Sequence, residues 1–134
     1  MIVVDTSALM AVLLNEPEAD ECSEILIGQD MLVMSAGTLA EALVVADKRG
    51  LGSEMLALVE GLDVEIAAVT KRVAELVSEA YMRWGKGVHP AGLNFGDCFA
   101  YALAKSEDRP LLFVGNDFEK TDVSRTTLGE MAPQ

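Results

Sequence analysis

A chain of 134 residues, 51% hydrophobic but only 5% aromatic, reads as one domain over residues 1–134, with an aliphatic core large enough to fold without disulfide staples. Its net charge of −12 excludes binding of phosphate backbones by overall attraction, so any nucleic-acid chemistry needs a bound cation or a local basic patch; a basic partner protein suits the charge equally. Cys22 and Cys98 share no metal-ligand or redox spacing and read as buried free thiols; with no signal peptide and no apolar run longer than Ala8–Leu14, against the ~20 residues a membrane span needs, the chain is expected to be soluble and cytosolic.

The first apolar run, Ile2–Val4, is β-branched and ends on Asp5, followed by Thr6, Ser7 and the uniformly apolar Ala8–Leu14. That second run has no polar face, so it predicts a helix either sandwiched in the fold or covered by another subunit. Pro17 suits a first helical turn and starts a helix over Glu18–Ile27. Met31–Met34 predicts a second strand. Leu39, Leu43 and Ala46 space a helix over Thr38–Lys48, ended near Gly50. A third strand follows at Val64–Ile66, and Val69, Val73, Leu76, Val77 and Ala80 form an amphipathic stripe. "GKGVHPAG" is loop by composition, Phe95–Lys105 is helical, and Leu111–Val114 predicts the last strand. The four runs lack in–out alternation, as strands covered on both faces do. Strands interleaved with helices predict an α/β fold, a three-layer α/β/α sandwich around a central, mostly parallel sheet.

In such sheets ligands bind beyond the carboxyl ends of the strands. There the sequence places Asp5, then Glu41 early in the helix after the second strand, Asp97 at the start of another helix, and Asn116–Asp117 after the last strand. Each has an ordinary structural explanation. Asp5 or Ser7 is a candidate N-cap, Asn94 and Asp97 have the spacing of a capping box, and Asn–Asp is common turn chemistry. His89 in its Gly/Pro loop reads as a surface residue, and no motif sets a base beside Ser7 to make it a nucleophile. The conjunction outweighs these readings. Two unit charges ~4 Å apart repel by ~4 kcal/mol at an effective dielectric of ~20, so four acids gathered at one sheet edge need a cation or shared protons. An oxygen-only donor set points to Mg²⁺ or Mn²⁺ rather than zinc.

"IVVDTSAL", "TLAEAL", "HPAGLNFGDCFAYALAK" and "LLFVGNDFEKTDV", in this order and spacing, closely resemble PIN-domain ribonucleases of the VapC type, the toxins of type II toxin–antitoxin pairs. The resemblance implies a PIN-like fold and a Mg²⁺-dependent endoribonuclease that hydrolyses a phosphodiester and leaves a 5′-phosphate. It maps the family's acidic quartet onto Asp5, Glu41, Asp97 and Asp117, with Ser7 supporting the first acid and Asn116 beside the last. Asp5 and Asp97 would contact the metal directly or through water, Glu41 would position or deprotonate the attacking water, and Asp117 would help hold this ion or a second one. Relatives often carry Asp where this chain has Asn116, and a basic residue where it has Val88; Lys86, His89 and Lys120 are the candidates for gripping the RNA backbone. The resemblance also implies a homodimer and a cognate antitoxin, for which Ala8–Leu14 and Glu18–Ile27 could supply apolar surface. The rival readings are weaker. A haloacid-dehalogenase-type phosphotransferase needs Asp where Ser7 stands, a receiver domain needs paired acids and a late Lys, and no P-loop is present. The alternative from another class is a non-catalytic PIN-fold interaction protein that binds an antitoxin or regulatory partner.

Overall fold

The computed structural model describes residues 1–126. Strands β1 (Ile2–Val4), β2 (Leu32–Ser35), β3 (Glu65–Ala67) and β4 (Leu111–Leu112) form one parallel sheet in the order β3-β2-β1-β4. Val3 pairs with Val33 on one side and Leu111 on the other. Successive side chains of β1 serve different cores, which is why its apolar run does not alternate: Ile2 and Val4 join one, Val3 the other. The first core lies beneath α1 (Thr6–Leu13), α2 (Ala19–Gly28), α3 (Ala36–Lys48) and α4 (Gly52–Gly61). The second lies beneath α5 (Lys71–Trp84) and α6 (Phe95–Glu107). The three-layer α/β/α expectation holds.

Several local expectations change. Helix α1 is sandwiched: Ala8, Leu9 and Ala11 are fully buried, and Val12 to Leu14 pack against the same core. Ala8, Leu9 and Ala11 have no surface to offer a partner, whereas Val12, Leu13 and Leu14 are half-buried, and on α2 only Ile27 is prominently exposed among the large apolar residues. Apolar exposure lies instead at Val44 on α3, Met82 on α5 and Phe95 on α6. Strand β3 is not covered on both faces. It sits at the sheet edge with Glu65 and Ile66 exposed, and a charge on an edge strand discourages pairing with other chains. Helix α4 was not legible beforehand: glycines bracket it, and only Met55 and Val59 are buried. Helix α3 begins two residues earlier than its apolar spacing suggests, because the Ser35 side chain caps it by accepting from Gly37 N. No helix among the described residues is long and apolar enough to cross a membrane.

The strand order places a topological switch between β1 and β4: the chain leaves β1 toward β2 and β3, and returns to the opposite side of β1 only with β4. Such a switch opens a crevice at the carboxyl edge, where connections depart in opposite directions. Asp5 follows β1 and Asp117 follows β4, so both acids enter from the strands flanking that crevice.

Candidate functional site

Asp5 is the N-cap of α1, and this ordinary role accounts for only one of its oxygens. Its Oδ2 accepts from Ser7 N at 3.1 Å and from Ser7 Oγ at 2.6 Å. Its Oδ1 is buried with no hydrogen-bond partner, and the residue is 3% exposed. An unsatisfied buried carboxylate oxygen is costly, and a native protein retains one only for a reason. Ser7 Oγ also accepts from Val114 N at 3.0 Å, so one hydroxyl ties Asp5 to the chain leaving β4.

Asp97 repeats the pattern at α6. Its Oδ2 accepts from Asn94 N at 3.0 Å while Asn94 Oδ1 accepts from Asp97 N at 2.7 Å, a complete capping box. The capping readings of Asp5 and Asp97 are therefore correct and do not compete with a site. A cap holds each carboxylate rigidly at a helix N-terminus, where negative charge is favoured.

Glu41 reaches the same place from α3. Its Oε1 accepts from Thr6 Oγ1 at 2.9 Å, and its carboxylate lies against Gly96, where a Cβ would overlap it. A second glycine works reciprocally: a Cβ on Gly37 would overlap the ring of Phe99. The two missing side chains let the starts of α3 and α6 approach, which brings Glu41 beside the turn that carries Asp97. Thr6, Gly37 and Gly96 were not singled out from sequence. Gly96, directly before Asp97 in "NFGDC", was the available signal for close helix packing.

Burial dominates the electrostatics of these acids, and their neighbours' charges add to it. Burial pushes the Asp97 carboxyl up to about 7 against the opposing pull of the Asn94 N–H, and the charges of Asp5, Asp117 and Glu41 all raise it further. Burial likewise pushes Asp5 up to about 6, offset by the Ser7 hydrogen bonds and reinforced by Glu41. Among the described residues the ion pairs join Lys71 and Arg72 to Glu75, Arg83 and Lys105 to Asp122, and Arg125 to Glu119, leaving these four acids without a basic partner.

As they stand, no three acid, His or Cys side chains among the described residues are close enough to enclose an ion by themselves. The orphaned Asp5 Oδ1 and the oxygen-only donor set fit a hard divalent cation.

The remaining candidates are placed as follows. Asn116 and Asp117 are exposed in the turn after β4, and Phe118 beside them is buried against Phe113. Lys86 and Lys120 are exposed. His89 is half-buried rather than free on the surface: its ring meets Trp84 edge-on at 4.8 Å, and Nδ1 accepts from Ala91 N at 2.9 Å.

The model of the PIN domain family matches residues 2–124. The chain belongs to the PIN-domain family. Ribonuclease VapC30 of Mycobacterium tuberculosis is 40% identical over 131 residues, covering 95% of this chain and 99% of that protein. Among solved structures, M. tuberculosis VapC20, described as a sarcin–ricin loop cleaving toxin, superimposes with a TM-score of 0.78 at 17% identity over 95% of this chain and 99% of its own. A toxin–antitoxin complex from Klebsiella pneumoniae gives a TM-score of 0.71 at 17% identity, covering 94% and 97%. At these identities the structural neighbours speak for the PIN fold alone. In this PIN domain the first and third candidate acids are helix caps, the second lies against a glycine, and Asp117 stands on a loop.

Proposed function

We propose that this PIN domain, residues 1–134, is a Mg²⁺-dependent endoribonuclease, the toxin of a toxin–antitoxin pair, acting in the cytosol. What supports the reading is Asp5 Oδ1, buried and without a partner among the described residues beyond the carboxyl end of β1, together with Asp97 capping α6 and Glu41 lying against Gly96 next to it. Similarity over nearly its whole length to a named VapC ribonuclease supports the same activity.

Asp5 and Asp97 would hold the ion, with Asp117 completing its shell or holding a second ion beside RNA. When bound, Mg²⁺ polarises the scissile phosphate, acidifies a water and screens the RNA from an acidic cleft. Glu41, which accepts from Thr6 and lies against Gly96, would accept the proton of the attacking water. Attack at phosphorus and cleavage of the P–O3′ bond leave a 5′-phosphate and a 3′-hydroxyl. Ser7 holds the first acid and Asn116 would support the last, while Lys86, His89 and Lys120, all in loops, would meet RNA phosphates. The working assembly is a homodimer bound by a basic antitoxin segment, whose Arg or Lys would occupy the carboxylates in place of the ion.

The test is cleavage of a total-RNA substrate with Mg²⁺ and with EDTA, by the wild type, Asp5→Ala and Asp97→Ala. Cleavage should need Mg²⁺ and be lost in both variants. Mg²⁺-independent cleavage that survives both substitutions would reject the metal mechanism.

A further inference from the structure

The turn carrying Asp117 has left the sheet, because the β4 ladder ends at Leu112. It is nevertheless pinned at three points. Val114 N is held by Ser7 Oγ, Phe118 is buried against Phe113, and Asp122 at the far end is gripped by side chains of α5 and α6. The last point has no structural necessity in a surface loop, and its geometry is specific. Asp122 Oδ1 accepts from Tyr101 OH at 2.5 Å, and its Oδ2 lies 3.4 Å from Lys105 Nζ and 3.9 Å from Arg83. Tyr101 OH accepts from Trp84 Nε1 at 2.8 Å. The indole fills one lone pair of the phenol, and the single phenolic proton is committed to Asp122.

Tyr101 stands one turn beyond Asp97 on α6, so both project from the same side of one rigid helix. The helix thereby sets the distance between the metal-site acid Asp97 and the point at which the Asp117 loop is tied down. Trp84 also meets the ring of His89 edge-on, so the indole that donates to Tyr101 packs against the 85–93 loop with its proposed RNA contacts.

We infer that Tyr101 and Asp122 form a latch whose role is to position Asp117 against Asp97; both are positioning residues, and the inference rests on the nuclease reading of the site. A merely structural bond would affect melting and leave metal affinity alone. The latch must affect metal affinity, and through Asp117.

The test measures Mn²⁺ binding to the full chain by the electron paramagnetic resonance signal of the free ion, with melting curves in parallel. It uses wild type, Tyr101→Phe, Asp122→Asn, Asp117→Asn, Asp97→Asn and the double variant Tyr101→Phe/Asp117→Asn. Tyr101→Phe and Asp122→Asn should each weaken Mn²⁺ binding by roughly 10- to 100-fold, the range for groups that orient a ligand. The double variant should bind no worse than Asp117→Asn alone, because the latch has nothing left to position. Wild-type affinity in Tyr101→Phe and Asp122→Asn, or losses that multiply in the double variant, would overturn the latch. If Asp97→Asn also bound like wild type, the metal-site reading itself would fall; if Asp97→Asn lost binding while Tyr101→Phe retained it, only the latch would.

Discussion

Holding two carboxyls in a dry crevice should make the metal-free protein less stable as they ionise, and metal should reverse this. Asp5 moves from 3.8 to about 6 and Asp97 from 3.8 to about 7, both mainly by burial. The folded state therefore binds these protons more tightly than the unfolded chain. Their contribution to stability is greatest below about pH 3.8, declines as pH rises through the folded values, and is fully lost above about pH 7. At ~1.4 kcal/mol per pH unit for each proton retained, the step from pH 5 to pH 8 costs ~1.4 kcal/mol through Asp5 and ~2.7 kcal/mol through Asp97. The charge of Asp5 is one of the causes that raise Asp97, so the two contributions are not independent and the joint effect is on the order of 3–4 kcal/mol, a large share of a domain's typical margin. Mg²⁺ binds the ionised forms and should restore most of this loss at pH 8 while doing little at pH 5. Urea unfolding in EDTA and in Mg²⁺ at both pH values measures the effect, with Asp97→Asn as the comparison that flattens the EDTA profile. Metal-free stability that rises from pH 5 to pH 8 with the same slope in wild type and Asp97→Asn would refute the reasoning.

Thr6→Val removes the hydroxyl that holds Glu41 at nearly constant volume. A hydrogen bond to a charged acceptor is worth ~1.5–3 kcal/mol, so kcat/KM for RNA cleavage should drop about 10- to 100-fold, and Thr6→Ser should recover most of it. Gly96→Ala inserts a methyl where the Glu41 carboxylate lies; the flexible end of Glu41 should swing aside, so denaturant titrations should show little loss of stability while cleavage falls. Lys86→Ala should weaken RNA binding and lower the slope of log K against log salt by about one; an unchanged slope removes Lys86 from the phosphate contacts.

The strands, most of the helices and the acids at strand ends were legible because each leaves a local mark. Buried parallel strands read as unbroken apolar runs, amphipathic helices repeat every 3.6 residues, and a carboxylate between two apolar runs is expensive enough to be noticed. The ambiguity of Asp5 and Asp97 between cap and site was real at the level of sequence, since both roles use the same residue at the same position. In the structure the cap uses only one oxygen of Asp5: Oδ2 is satisfied by Ser7, while Oδ1 has no partner among the described residues.

Other features had no local mark. Helix α4 lies between glycines with little burial of its own, and the edge strand β3 looks like a central one until its position in the sheet is known. The all-apolar α1 could face a partner or its own core, and the layers above it decide for the core. Local sequence thus determined the fold class and the four acids, because hydrophobic periodicity and stranded charge are properties of neighbours in the chain. Tertiary structure alone decided the surroundings of those acids: Thr6 and Gly96 on Glu41, and Ser7 between Asp5 and Val114, are contacts between separate elements, and their energies exist only once distant segments share the same space.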